Sequence, residues 1–156
     1  MIKKKIIVCM TALTITAGVF AANPLLQPYK TPYQTVPFDQ LKTEHFMPAF
    51  DEAMLQNKAE IDAIVNNLKP ATFENTIVAL DRSGRLLAQV SSPFYNLLGS
   101  ETNDELQAVA QELSPKMSEH SNSILLNEKL FARVKSVYDQ KDKLKLNAEQ
   151  LTLLKE

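Results

Sequence analysis

"ATFENTIVALDRSGRLLAQVSSPFYNLLGS", residues 71–100, carries the longest regular pattern in the chain. Phe73, Ile77, Leu80, Gly84, Leu87, Ser91, Phe94 and Leu98 recur at spacings of 4-3-4-3-4-3-4, the period of one face of an α-helix. Thr72 stands where a hydroxyl can satisfy the unpaired amides of a first turn, so it is the expected N-cap. Gly84 on the stripe predicts close approach of a neighbouring helix, and Pro93 predicts a kink. A seam of this length needs partners, and the flanking sequence supplies them.

Upstream, Phe46, Phe50, Ala53, Met54, Ile61, Ile64 and Val65 share one helical face. Pro48 marks the first full turn of that helix, after a turn-like segment at 43–47, and "NNLKPAT" (66–72) ends it. Downstream, "GSETND" (99–104) makes a turn and a cap. Leu106, Ala110, Leu113, Met117, His120 and Ile124 then repeat at 4-3-4-3-4, with Pro115 expected to bend the helix. Asn127 is the expected cap of a shorter helix bearing Leu130, Phe131, Val134, Val137 and Tyr138. After the charged connector "DQKDKLKL" (139–146), Asn147 and Gln150 form a capping box that opens "LNAEQLTLLKE". That last helix has no closing Gly or Pro before Glu156. The whole sequence holds three glycines and no Asn-Gly or Asp-Gly hairpin signal. The fold expectation is all-α: long antiparallel helices behind a proline-rich extended arm. Each well-buried Leu, Ile or Phe contributes roughly 1.5–3 kcal/mol, enough for the stripes to hold a bundle together.

Three segments follow. Residues 1–21 read as a secretory leader: Lys3, Lys4 and Lys5 precede an apolar run over 6–20, and Val19, Phe20 and Ala21 suit cleavage before Ala22. An uncleaved signal-anchor is the competing reading, although the run is short of the about 20 residues of a comfortable span. Export to the periplasm is the expectation. Residues 22–38 contain "NPLLQPYKTPYQTVPF", whose four prolines argue for an extended arm; its Leu25, Leu26, Tyr29, Tyr33 and Phe38 are apolar enough to lie along a larger body. Residues 39–156 are the helical region. Loss of the leader removes the only cysteine, Cys9, so no disulfide is expected. It also takes the formal net charge from −1 to −4. An acidic chain with no Lys/Arg-rich cluster argues against non-specific nucleic-acid binding, and no membrane partner is expected after cleavage.

Catalytic chemistry is sparse. The two histidines, His45 and His120, stand 75 residues apart, and neither begins a His-Glu-x-x-His zinc helix. There is no Gly-x-Ser-x-Gly elbow and no glycine-rich phosphate loop. No catalytic and no metal-binding residue is assigned. His120 lies on an apolar stripe, where it reads either as a hydrogen-bonded, partly buried side chain or as a residue facing a substrate channel. His45 fits a capping or interhelical hydrogen bond. Glu44, Asp51 and Glu52 fit helix-dipole compensation and solvation.

"PFDQLKTEHFMPAFDEAM", "ATFENTIVALDRSGRLLAQVSSPFYNL" and "NDELQAVAQELSPKMSEHSNSILLNEKLFARVKSVYDQ", with the opening "NPLLQPYKTPYQTVPF", resemble the N-terminal region of the thimet oligopeptidase and dipeptidyl carboxypeptidase family of zinc metallopeptidases. The resemblance runs from about residue 23 to the end. It implies an almost wholly helical protein of two lobes, with a channel that admits short peptides and excludes folded proteins. It also implies one zinc ion, held by His-Glu-x-x-His and a further glutamate, that activates water. None of those ligands transfers to a position of this sequence. The expectation is therefore the front portion of such a peptidase: an incomplete lobe, inactive alone and binding no zinc itself. The alternative is a stand-alone exported helical module that binds peptides or another partner without catalysis.

Overall fold

A computed structural model gives the architecture and describes residues 23–155. The expected leader, residues 1–21, lies outside the described residues. Every regular element among the described residues is helical, so the all-α expectation holds.

Helix α1 spans Phe46–Val65, entered through a single 3₁₀ turn at Thr43–His45. His45 closes that turn: its Nδ1 accepts the Lys42 N–H at 3.1 Å. Pro48 sits in the first turn of α1, where a missing N–H costs nothing. The buried face is Phe46, Ala49, Phe50, Ala53, Asn57, Ile61 and Ile64. It is the expected stripe with Asn57 inserted between its two halves.

The single long helix expected over residues 72–98 is instead interrupted. Thr72 does cap it: Thr72 Oγ1 accepts the Asn75 N–H at 3.1 Å, and Asn75 Oδ1 accepts the Thr72 N–H at 2.8 Å. The chain then runs through a wide π-type segment, Phe73–Val78, into one α-turn, α2 (Ala79–Asp81). It breaks at Gly84, whose φ of +70° is left-handed, before α3 (Arg85–Ser100) begins. The 4-3 spacing thus crosses two elements with different partners. Phe73 and Ile77 pack with Val137 and Leu154, whereas Val90 and Phe94 pack with α1. Phe94 meets Phe46 and Phe50 edge-on, at centroid distances of 5.1 and 5.3 Å, the geometry aromatic quadrupoles favour.

Helix α4 (Asp104–Leu125) is capped by Asn103, whose side chain accepts the Leu106 N–H at 2.8 Å. All of its predicted stripe, Leu106 to Ile124, is shielded at least in part. Helix α5 (Glu128–Tyr138), capped by Asn127, departs from expectation. It buries Leu130 and Val137 but leaves Phe131 66% and Tyr138 41% exposed. Helix α6 (Ala148–Leu153) has the predicted capping box, with both Asn147 and Gln150 bonds formed at 2.8 and 3.0 Å.

Residues 23–38 are not uniformly extended. They contain one-turn 3₁₀ segments at Pro24–Leu26 and Pro32–Gln34, and a third follows at Phe38–Gln40. Leu25 is fully buried among Phe46, Phe50, Val90 and Phe94. Gln89 of α3 donates to the carbonyls of Leu25 and Gln27 at 2.9 and 3.2 Å, and Asn23 donates to that of His45 at 2.7 Å. Tyr33, by contrast, is wholly exposed. The apolar interior is divided three ways: a main cluster of the arm with α1, α3 and α4, a second under α5 and α6, and a third of Ile61, Ile64 and Leu130.

Candidate functional site

His120, the sequence-derived channel candidate, stands on α4 against α1. Its Nε2 lies 2.8 Å from Asn57 Oδ1, and Asn57 itself is buried. The orientation of the Asn57 amide is fixed from its other end. Asn57 Nδ2 faces Glu60 Oε2 at 3.5 Å, and a carboxylate can only accept. Oδ1 must therefore point at His120, which makes Nε2 the protonated nitrogen of the neutral ring. Glu60 Oε2 also accepts the Gly84 N–H at 2.7 Å, and Gln56 donates to Oε1 at 3.0 Å. A Cβ at position 84 would come within 3.2 Å of Asn57 Nδ2, so the close approach predicted at Gly84 is made by a polar side chain of α1.

This network joins α1, the break before α3, and α4. Burial holds His120 below the ordinary histidine range, which favours the neutral donor the geometry requires. Burial pushes Glu60 upward, but hydrogen bonds from Gln56, Gly84 and Asn57 outweigh it and keep the carboxyl below its usual range. The arrangement orients and locks helices. It presents no nucleophile beside a base, so no proton-transfer role follows from it.

A second polar latch, absent from the sequence reading, centres on Arg133 of α5. Its guanidinium donates to the carbonyls of Asn67 and Lys69 at 2.8 and 3.3 Å, and to Asn75 Oδ1 and Thr76 Oγ1 at 3.1 and 3.4 Å. It binds the loop after α1 and the π-type segment to α5. The sequence carried signals for the first network in Gly84 and His120 on their apolar stripes and in a polar residue at 57 on the Ala53–Ile61 face. It had none for Arg133, whose four partners, two backbone carbonyls and two side-chain oxygens, lie 57 to 66 residues away in the chain.

His45 is committed to the Lys42 amide, and the structure does not join it to His120. Glu44 pairs with Lys42 at 3.6 Å, and Asp51 pairs with Lys116 of α4 at 3.2 Å. Asp51 therefore links two helices as well as being solvated. Among the described residues no group of three or more His, Cys, Asp or Glu side chains is placed to hold a metal ion.

No protein-family model matches the chain. Comparison with curated proteins does find relatives. A dipeptidyl carboxypeptidase of Salmonella typhimurium is 44% identical over 134 residues, covering 86% of this chain and 20% of the relative. One of Escherichia coli is 43% identical over 132 residues, with 85% and 19% covered. Oligopeptidase A of Salmonella typhimurium is 27% identical over 128 residues, with 82% and 18% covered. The matched stretch falls in the N-terminal region of these larger proteins.

This chain fits the N-terminal region of the thimet oligopeptidase family.

It spans about a fifth of the length of the dipeptidyl carboxypeptidases it matches. The thimet oligopeptidase resemblance seen in the sequence blocks therefore holds. Among the described residues no helix is long and apolar enough to cross a membrane.

Proposed function

We propose that this chain is the front portion of an exported zinc metallopeptidase that hydrolyses short peptides, of dipeptidyl carboxypeptidase or oligopeptidase type. The observation that carries the reading is the 44% identity to a dipeptidyl carboxypeptidase, sustained across 86% of the chain. In this reading the α1–α4 layer and the arm build part of one lobe and a wall of the peptide channel. The zinc ion would be held by residues outside this chain, so no catalytic step is assigned to His45 or His120. The two latches keep the wall rigid: one fixes α4 on α1, the other fixes α5 on the loop after α1. The leader would direct the protein to the periplasm, where short peptides are the substrates.

The test is a graft. Residues 23–156 replace the matched region of the Salmonella typhimurium dipeptidyl carboxypeptidase, and hydrolysis of a quenched fluorescent tetrapeptide is followed with zinc present. The graft is expected to fold and turn over substrate, whereas the isolated chain with added zinc is expected to show none. A folded but inactive graft, or turnover by the isolated chain, contradicts the proposal.

A further inference from the structure

The α4–α5 corner carries apolar side chains with nothing over them. Leu125 and Leu126 end α4 at 78% and 77% exposure, and Phe131 opens α5 at 66%. They line one depression on the surface. Leu126 also closes a shallow groove of about 640 Å³ that runs back along the outer face of α4 to Pro115. Exposure of three neighbouring large apolar residues is a different matter from a scattered surface leucine, because contiguous patches mark contact sites. Helix α5 shows why they are not part of the interior. Its Leu130 and Val137 already fill the inner face against α1 and α6, and Phe131 points elsewhere. The helix has two apolar faces, and one of them has a partner.

The groove has an acidic border. Glu119 stands in the wall of the groove and Glu128 in that of the corner, and the ion pairs among the described residues leave both carboxylates out. A second copy of the chain is therefore a poor occupant. A two-fold contact would set the acidic borders against each other. Three side chains also fall short of the roughly 800 Å² per partner that separate chains need for stable association. A segment joined covalently needs far less, since its effective concentration is already high. The relatives supply such a segment, because the match accounts for only 20% of the Salmonella typhimurium protein.

We propose that the corner formed by Leu125, Leu126 and Phe131, with the groove behind it, is the surface on which the remaining polypeptide of the full-length peptidase packs. The occupant is an apolar helix face bordered by Lys or Arg. The inference rests on the reading of the chain as a peptidase portion, and its test separates the two. In the graft described above, Phe131→Cys is labelled with a maleimide and the labelled residue is located by mass spectrometry. Leu125→Cys is the second variant, should the first fail to fold. The thiol is expected to label in urea and to be protected in the native graft. Native labelling as fast as in urea, in a graft that remains active, overturns the docking surface and leaves the peptidase reading standing. A graft that does not fold with either variant or with the unsubstituted segment overturns both. Protection that appears only at concentrations where the graft dimerises assigns the corner to a second copy and overturns the proposal.

Discussion

Gly84 combines two demands that no other residue type meets together. Its φ is +70°, and a Cβ there would press on Asn57 at 3.2 Å. A left-handed non-glycine residue costs roughly 1–2 kcal/mol, so Gly84→Ala should destabilise the fold by about that amount, read from urea unfolding midpoints. An unchanged midpoint would show that neither the turn nor the contact matters. His120 makes a pH prediction. Its proton affinity is lowered by burial in the folded state, so the unfolded chain takes up the proton first as pH falls. Unfolding is then favoured by acidification, and stability should decline from about pH 6.5 downward. Glu60, also held below its usual range, adds a further loss in the carboxylate range. His120→Gln keeps a donor toward Asn57 and should flatten the slope between about pH 7 and pH 5.5. An equal slope in both proteins would remove His120 from the account. At this scale the sequence was half legible. It showed that His120 lies on an apolar face but not that Asn57 meets it, because contacts 63 residues apart in the chain leave no periodic trace.

Helix ends were the most readable elements, because their signals are local. Asn103, Asn127 and Asn147 each accept the amide three residues on, as their positions predict. The break inside residues 72–98 was not readable, because the apolar spacing continues through it. What decides the break is the Glu60 carboxylate on the Gly84 amide at 2.7 Å, a partner from another helix. The outward face of α5 was misread for a related reason: Phe131 and Tyr138 fit a helical stripe, but the inner side was already occupied by Leu130 and Val137. Arg133 belongs to this scale too, since it ties α5 to two other segments. Lysine has no planar fork and cannot reach four oxygens at once. Arg133→Lys should therefore cost about 1–3 kcal/mol in chemical denaturation, and a loss below a few tenths would show the latch to be dispensable.

The interior of the described residues is divided, with the largest cluster joining the arm, α1, α3 and α4, a second beneath α5 and α6, and a third between α1 and α5. A self-sufficient domain usually has one contiguous core with small satellite clusters under long loops, whereas the two smaller clusters here lie beneath helices. Residues 23–156 alone should therefore melt broadly by circular dichroism, and a single sharp transition would favour the stand-alone binding module instead. The sequence made the family legible at this scale through several ordered blocks, which the 44% identity to a dipeptidyl carboxypeptidase sustains. In the proposed reading the gene encodes a longer zinc peptidase of which this chain is the front portion. The most direct measurement is the nucleotide sequence downstream of codon 156 in the source genome. The expected result is an open frame that continues to a His-Glu-x-x-His helix; a stop codon directly after Glu156 with no such motif beyond it would overturn the proposed reading.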